Sequence, residues 1–312
     1  MKKIAFLFPG QGSQSVGMGE EFYREYDVVR EIFDMTEEIT RINISKLCFK
    51  GPMEKLTMTV NLQPAVTAVN LGCLTAIEKE HRKFQYCAGH SLGEYSALCA
   101  AGVNSKEDTI RLVYKRGKLM HREASRHQGA MHAIVGLPIE ELAELVSEVQ
   151  KDGMVSVANH NTQFQIVITG APRAVERVSS LAVAKGAKSV PLKVSGAWHS
   201  ELIKGAQDEF KEYLHTIGFD APQNKVFFNV TADSEENPTE IKETMARQLC
   251  SPVRWYDTII KLMEEKVEVF VEVGPGRVLA GMLKKTLPKE YPSKIYNISN
   301  MKQLEKFIVE IF

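Results

Sequence analysis

The pentapeptide Gly89-His90-Ser91-Leu92-Gly93 constrains this chain more than any other stretch, because of what stands on either side of it. Phe84 to Ala88 is short, apolar and aromatic and reads as a strand, while Leu92 to Ala101 is rich in helix formers. A serine at a sharp strand-to-helix turn takes a strained backbone position. Glycines must flank it, because side chains there would meet the opposing strand and helix. The turn pushes the Ser91 hydroxyl outward. It also sets the positive end of the following helix, and the N–H of Leu92, beside any negative charge formed there. The bare pentapeptide fits an ordinary turn equally well. Its flanks favour a nucleophile elbow, whose natural cargo is an acyl group.

Upstream, Ile4 to Phe8 reads as a first strand running into Pro9-Gly10-Gln11-Gly12-Ser13-Gln14, which is either a plain glycine turn or a loop whose backbone approaches a ligand. Glu20 to Thr40 and Pro64 to Glu80 have helical periodicity, with Pro64 placed at a first turn. Beyond the elbow, Ser105 and Asp108 form a capping box at the start of a helix carrying Arg111, Lys115, Arg116, Lys118, Arg122 and Arg126. Taken singly, each of these reads as part of a solvated basic face.

From Gly129 the pattern changes. Strand, helix, two strands, helix and strand follow at Ala130 to Gly136, Ile139 to Gln150, Met154 to Ala158, Gln165 to Thr169, Ala174 to Lys185 and Ser189 to Val194. This βαββαβ order is ferredoxin-like and reads as an inserted subdomain. Helices and short strands then alternate at Leu202 to His215, Lys225 to Val230, Thr239 to Leu249, Tyr256 to Glu265, Val267 to Val273, Val278 to Leu287 and Ile295 to Ile298. They complete a mostly parallel α/β sheet. No internal repeat or low-complexity tract interrupts the pattern.

Composition narrows the function by exclusion. Lys plus Arg equals Asp plus Glu at 39 each, so no global positive field favours nucleic acid or a membrane surface. Five cysteines (Cys48, Cys73, Cys87, Cys99, Cys250), without a Cys-x-x-Cys pair, point to reduced thiols rather than a disulfide or zinc framework. Met1-Lys2-Lys3 precedes too short an apolar run for a signal peptide, and no segment reads as the ~20 apolar residues of a membrane span. We therefore expect a cytoplasmic protein with no membrane and no nucleic-acid partner.

Ser91 needs a base. His90 is adjacent, but neighbouring side chains on an elbow point apart, which weakens its claim. His199 lies on the loop Ser195-Gly196-Ala197-Trp198-His199-Ser200 leaving the inserted block, and by itself reads more readily as a surface histidine than as a base.

Seven stretches decide between them: Phe8 to Gln14, Gly89 to Ala97, Arg116-Gly117, Gly129-Ala130-Met131, Ser195 to His199, Arg247-Gln248-Leu249, and Glu272-Val273-Gly274-Pro275-Gly276. In order and spacing they resemble the malonyl-CoA:acyl carrier protein transacylase family, nearly end to end. The resemblance implies an α/β-hydrolase-like core with a mostly parallel sheet over residues 1–127 and 199–312, and an inserted ferredoxin-like subdomain over 128–198. It implies Ser91 as nucleophile and His199 as general base, with Gln11 and the N–H of Leu92 as the oxyanion hole. Arg116 would hold the malonyl carboxylate in a bidentate grip, and Gln248 would border the substrate site. A main-chain carbonyl near Gln248, rather than an acid, would orient the histidine.

The implied activity is transfer of malonyl from coenzyme A to the phosphopantetheine thiol of a holo acyl carrier protein, supplying fatty-acid synthesis. No metal or cofactor is implied, malonyl-CoA being a substrate, and the enzyme is expected to be a monomer. The alternative is a discrete acyltransferase or an acyl hydrolase serving a polyketide synthase. Trp198 stands where the family usually has Phe, and Asn161-Thr162-Gln163-Phe164-Gln165 replaces its Asn-Ser-Pro-Gly-Gln turn; both positions border the acyl pocket in that family, and the departures are either neutral repacking, the favoured reading, or a change in acyl selectivity. Acidic carriers would be met by the basic residues at Lys115 to Arg126 or at Lys284, Lys285 and Lys289.

Overall fold

A computed structural model describes residues 2–80 and 83–312, so Met1 of the N-terminal reading lies outside the described residues. Two sheets organise the chain. The first is parallel throughout and five-stranded, built from β1 (Ile4–Phe8), β2 (Tyr86–Gly89), β7 (Lys225–Phe227), β8 (Val269–Val273) and β9 (Lys294–Ile298), in the order β7-β2-β1-β8-β9. The second is antiparallel, in the order β4-β5-β3-β6, from β3 (Ala130–Val135), β4 (Val155–Thr162), β5 (Gln165–Gly170) and β6 (Lys188–Pro191). Counted within the block, that order is 2-3-1-4, the ferredoxin-like arrangement that the βαββαβ reading requires.

Why the parallel sheet is buried is legible in β1. Its period of two sends Ile4, Phe6 and Phe8 into one apolar cluster and Ala5 and Leu7 into another on the opposite face. A strand apolar on both faces belongs at the centre of a covered parallel sheet. β8 repeats the pattern, with Val269, Val271 and Val273 on one side and Phe270 on the other. The register Phe8↔Gly89 then sets the loop after β1 beside the turn after β2.

Several sequence boundaries move. The helix expected over Glu20 to Thr40 is two, Glu20–Glu25 and Asp27–Thr40, broken where Tyr26 is extended. Arg30 Nη1 donates to the Tyr23 and Arg24 carbonyls at 3.0 and 2.8 Å, satisfying groups that the break frees. Pro64 is inside a helix that begins earlier, Thr59–Lys79, and not in its first turn. That 21-residue helix corrects a second expectation, since by length and composition it could cross a membrane; here 89% of its apolar window is buried inside the protein. The strand expected over Lys225 to Val230 stops at Phe227, where Phe228 N–H turns back to the Asp233 carbonyl at 3.0 Å. The strand expected to Val194 stops at Pro191. Helices Ile44–Lys50 and Met301–Ile311 complete the packing where the sequence pattern had suggested no element.

Candidate active site

The elbow forms because three glycines permit it. A Cβ on Gly89 would lie 2.0 Å from the Gly93 carbonyl carbon, one on Gly93 2.0 Å from Phe8 O, and one on Gly10 2.4 Å from His90 O. Ser91 between them has φ 50°, a left-handed conformation that costs a non-glycine residue about 1–3 kcal/mol. Helix Gly93–Ala100 starts directly after it.

His199, also left-handed at φ 60°, brings Nε2 to 2.8 Å from Ser91 Oγ. Its Nδ1 lies 3.0 Å from the Gln248 carbonyl and 3.0 Å from the Ser251 carbonyl. Carbonyl oxygens only accept, so Nδ1 carries the proton and Nε2 presents a lone pair to the serine hydroxyl. Burial, and next the charge of Arg116, push His199 down from the usual imidazole value to about 3, against the pull of the two carbonyls. His90 is otherwise engaged, its Nε2 lying 2.8 Å from Asn161 Oδ1.

Arg116 is 1% exposed, unlike the other lysines and arginines of its helix, Lys106–Arg126. Its Nη2 donates to Ser91 Oγ and to Gln248 Oε1, each at 3.2 Å, its guanidinium carbon stands 5.5 Å over the Tyr95 ring, and its buried Nε–H has no acceptor among the described residues. Ser91, Leu92, Gln11, His90, Arg116 and His199 line one cavity of about 100 Å³ with Met120, Met131, Asn159, Leu192, Val194 and Trp198. Leu192 and Val194, expected in a strand, are diverted into this wall. Neither the Leu92 N–H nor the Gln11 side chain is hydrogen-bonded to another described residue. Gln248 is buried and is not part of the lining; it reaches His199 through its carbonyl and Arg116 through its side chain.

Sequence reasoning passed over the groups behind the elbow. Asn229 Oδ1 accepts from Ser91 N–H and its Nδ2 donates to Gly89 O, both at 2.7 Å. Glu94, fully buried, accepts from Asn229 N–H at 2.7 Å and from the Gln248 side-chain amide. Burial raises the Glu94 carboxyl to about 7, opposed by those two donors and by the Arg116 charge. Glu94 carried a signal, a carboxyl one turn after the serine inside a buried helix, whereas Asn229 and Ser251 carried none.

A larger cavity, about 530 Å³, lies between Gln128, Asp152, Ala171 and Arg177, but no serine, cysteine or histidine lines it. Among the described residues, no three His, Cys, Asp or Glu side chains converge to hold a metal ion. The expected basic face is largely neutralised: Lys115 and Arg122 share Glu209, Arg122 and Arg126 share Glu123, and Arg111 pairs with Glu107. Lys284, Lys285 and Lys289 are exposed.

Comparison with known proteins agrees with this geometry. The model of the acyl transferase domain family matches residues 5–307. The chain belongs to the acyl transferase domain family. Malonyl CoA-acyl carrier protein transacylase of Bacillus subtilis (strain 168) is 44% identical to this acyl transferase over 287 residues, 91% of this chain and 90% of that protein. The crystal structure of an acyl carrier protein S-malonyltransferase from Vibrio cholerae superposes with a TM-score of 0.92 at 37% identity, covering 97% of this chain and 99% of that one. A malonyl-transacylase in complex with its type II PKS acyl-carrier protein gives 0.93 at 36% identity, covering 97% and 98%. These relatives are of the kind to which the seven sequence stretches pointed.

Proposed function

We propose that this acyl transferase moves a malonyl group from malonyl-CoA to the phosphopantetheine thiol of an acyl carrier protein by a ping-pong route through Ser91. The observation that carries the reading is the serine hydroxyl held 2.8 Å from His199 Nε2 and 3.2 Å from Arg116 Nη2, a nucleophile, a base and a fixed cation around one oxygen. As Ser91 Oγ attacks the thioester carbon, its proton passes to His199 Nε2. The carbonyls of Gln248 and Ser251 stabilise the resulting imidazolium through Nδ1–H, so the pair works as a Ser–His dyad. The carbonyl oxygen becomes an oxyanion held by the Leu92 N–H and Gln11, neither of which is hydrogen-bonded to another described residue. The C–S bond then breaks and the imidazolium returns its proton to the coenzyme A sulfur. A carrier thiol repeats the steps in reverse on the oxygen ester.

Arg116 would take the malonyl carboxylate, and its unpartnered buried Nε–H supports that role. A cavity of about 100 Å³ suits a short acyl group rather than a long chain. No cofactor enters this scheme. The relatives named for malonyl transfer support the substrate and the carrier, and fatty-acid synthesis is the setting proposed, in the cytoplasm and as a monomer. The likeness to a transacylase bound to a polyketide carrier makes such a carrier the second reading. The domain limits 1–127 with 199–312, and 128–198, belong to the same proposal; the strands of the second sheet all fall between Ala130 and Pro191, which supports them.

The test is mass spectrometry of the protein after malonyl-CoA is added without carrier. One malonyl group should map to Ser91 and be absent from Ser91→Ala. Transfer that proceeds with no mass on Ser91 would sink the ping-pong route. Offering fatty-acid and polyketide carriers in parallel separates the two settings.

A further inference from the structure

Glu94 has no place in the steps above, yet it is 0% exposed, one helical turn beyond the nucleophile. Burying a carboxylate costs several kcal/mol unless its oxygens are hydrogen-bonded. Both are: Oε1 accepts from Asn229 N–H at 2.7 Å and Oε2 from Gln248 Nε2. In its ionised form, which the Asn229 and Gln248 donors and the Arg116 charge favour against burial, Glu94 accepts and does not donate, so it admits only the nitrogen end of the Gln248 amide. That nitrogen also donates to the Ser91 carbonyl at 2.9 Å. The amide oxygen is thereby forced to the other side, where it accepts from Arg116 Nη2 at 3.2 Å and Tyr95 OH at 3.4 Å. A reversed amide would set a donor against the guanidinium, which has only donors to offer.

We propose that Glu94 is a positioning residue that locks the Gln248 amide with its oxygen toward Arg116, and so sets the preference for an acyl group bearing a carboxylate. The inference rests on the malonyl-transfer reading. Glu94 does not line the cavity and touches no reacting atom; it acts through Gln248 and then Arg116. Replacing it with glutamine keeps the shape but turns one acceptor into a donor. Gln248 then turns over to present its oxygen to that donor, giving up its hydrogen bond to the Ser91 carbonyl, and its nitrogen faces the arginine, displacing the guanidinium from where the malonyl carboxylate must dock.

The experiment measures kcat/KM for malonyl-CoA and acetyl-CoA, with one small thiol as acceptor, for the wild type, Glu94→Gln, Gln248→Met and the double variant, with circular dichroism on each. A wild type without preference for malonyl would sink the functional reading, independently of Glu94. Given that preference, Glu94→Gln should lower the malonyl-to-acetyl ratio about tenfold, the size of one lost hydrogen bond to a charged group. Gln248→Met should lower it similarly, and the double variant no further than the larger single change, because both act on one link. Equal losses on both substrates would make Glu94 a fold residue and overturn the proposal. A ratio that rises would also overturn it, since Glu94 would then act as a counter-charge weakening Arg116. If Glu94→Gln does not fold, Gln248→Met decides alone, and an unchanged ratio refutes the link.

Discussion

The two sides of the cavity are built on different principles. On the elbow side, which comes from the parallel sheet and its helices, every polar group behind Ser91 is tied to another: Asn229 to Ser91 and Gly89, Glu94 to Asn229 and Gln248, and Gln248 to Arg116. The opposite wall, from the second sheet and the chain leaving it, presents Met131, Leu192, Val194 and Trp198 with the polar Asn159, and the Trp198 indole N–H is buried without a partner among the described residues. A polar network left open only at the Arg116 Nε–H, which faces the acyl group, strongly favours one arrangement, because most alternatives leave a further buried group unpaired. An apolar wall repacks at small cost. The chemistry is therefore written into the elbow side, and the fit of the acyl group into the wall. The sides are joined at His90 and Asn161, and where β4 exchanges backbone hydrogen bonds with Val253, at 2.9 Å from His160 N and 2.8 Å to Ala158 O. Val253 follows closely on Ser251, whose carbonyl holds His199.

If that contrast is right, the largest effects arise at the elbow. His199→Ala should lower kcat/KM for malonyl transfer by about 10² to 10⁴ without shifting the malonyl-to-acetyl ratio, because it removes proton transfer common to both. The buried imidazole gives a second check. Its folded value of about 3 lies below the ~6.5 of the unfolded chain, so below ~6.5 the unfolded state takes up a proton that the folded state refuses. Stability from this group is present above ~6.5 and is lost as pH falls toward about 3. Nitrogen-15 NMR should accordingly find His199 neutral, with its proton on Nδ1, from pH 8 to 5. A titration of that ring near 6.5 would mean that water reaches it, and the closed picture of the elbow side would fail.

Arg116 comes next, since it belongs to the elbow network but meets the acyl group. Arg116→Ala should cost malonyl transfer about 2 to 5 kcal/mol of transition-state stabilisation, by analogy with truncated buried charge pairs. Acetyl transfer and hydrolysis should fall little or rise, because the arginine no longer donates to Ser91 Oγ in the empty site. Equal losses on the two thioesters would reassign Arg116 to the support of the serine.

How far the sequence carried this follows the same division. Strand β1, the elbow and the βαββαβ order were legible because short-range periodicity and glycine spacing dictate them. Ser91, His199 and Arg116 were named from a resemblance spread over seven stretches, while composition alone made Arg116 one more solvated cation. Asn229 and Ser251 carry no local signal, because their roles depend on contacts across 135 and 52 residues of chain, and the signal at Glu94, a carboxyl one turn after the serine, gives its place but not its partners. The basic face is less basic than the sequence suggests, for the same reason. Glu209, on a helix more than eighty residues away, neutralises Lys115 and Arg122. Nor does the altered turn sequence enter the cavity: Asn161 is bound to His90, and Phe164 is 48% exposed.

The smallest effect should come from the wall, at Trp198. Its indole N–H is desolvated without return, so Trp198→Phe relieves an unsatisfied donor while opening space beside Arg116 and His199. The two terms oppose each other in stability, the relief being about 1 to 3 kcal/mol and the lost packing of similar size, so the melting temperature should change by only a few degrees. Selectivity should move more visibly. Space for about one methyl group is worth roughly 1 to 3 kcal/mol in an apolar pocket, which predicts that methylmalonyl gains on malonyl by tenfold or more while the malonyl rate itself stays within a few-fold. A carrier loaded from an equimolar mixture of malonyl-CoA and methylmalonyl-CoA, weighed by mass spectrometry, reads that ratio directly. A collapse of the malonyl rate in Trp198→Phe would mean that the indole shapes the dyad itself, through its neighbour His199. The wall would then belong to the same rigid network as the elbow.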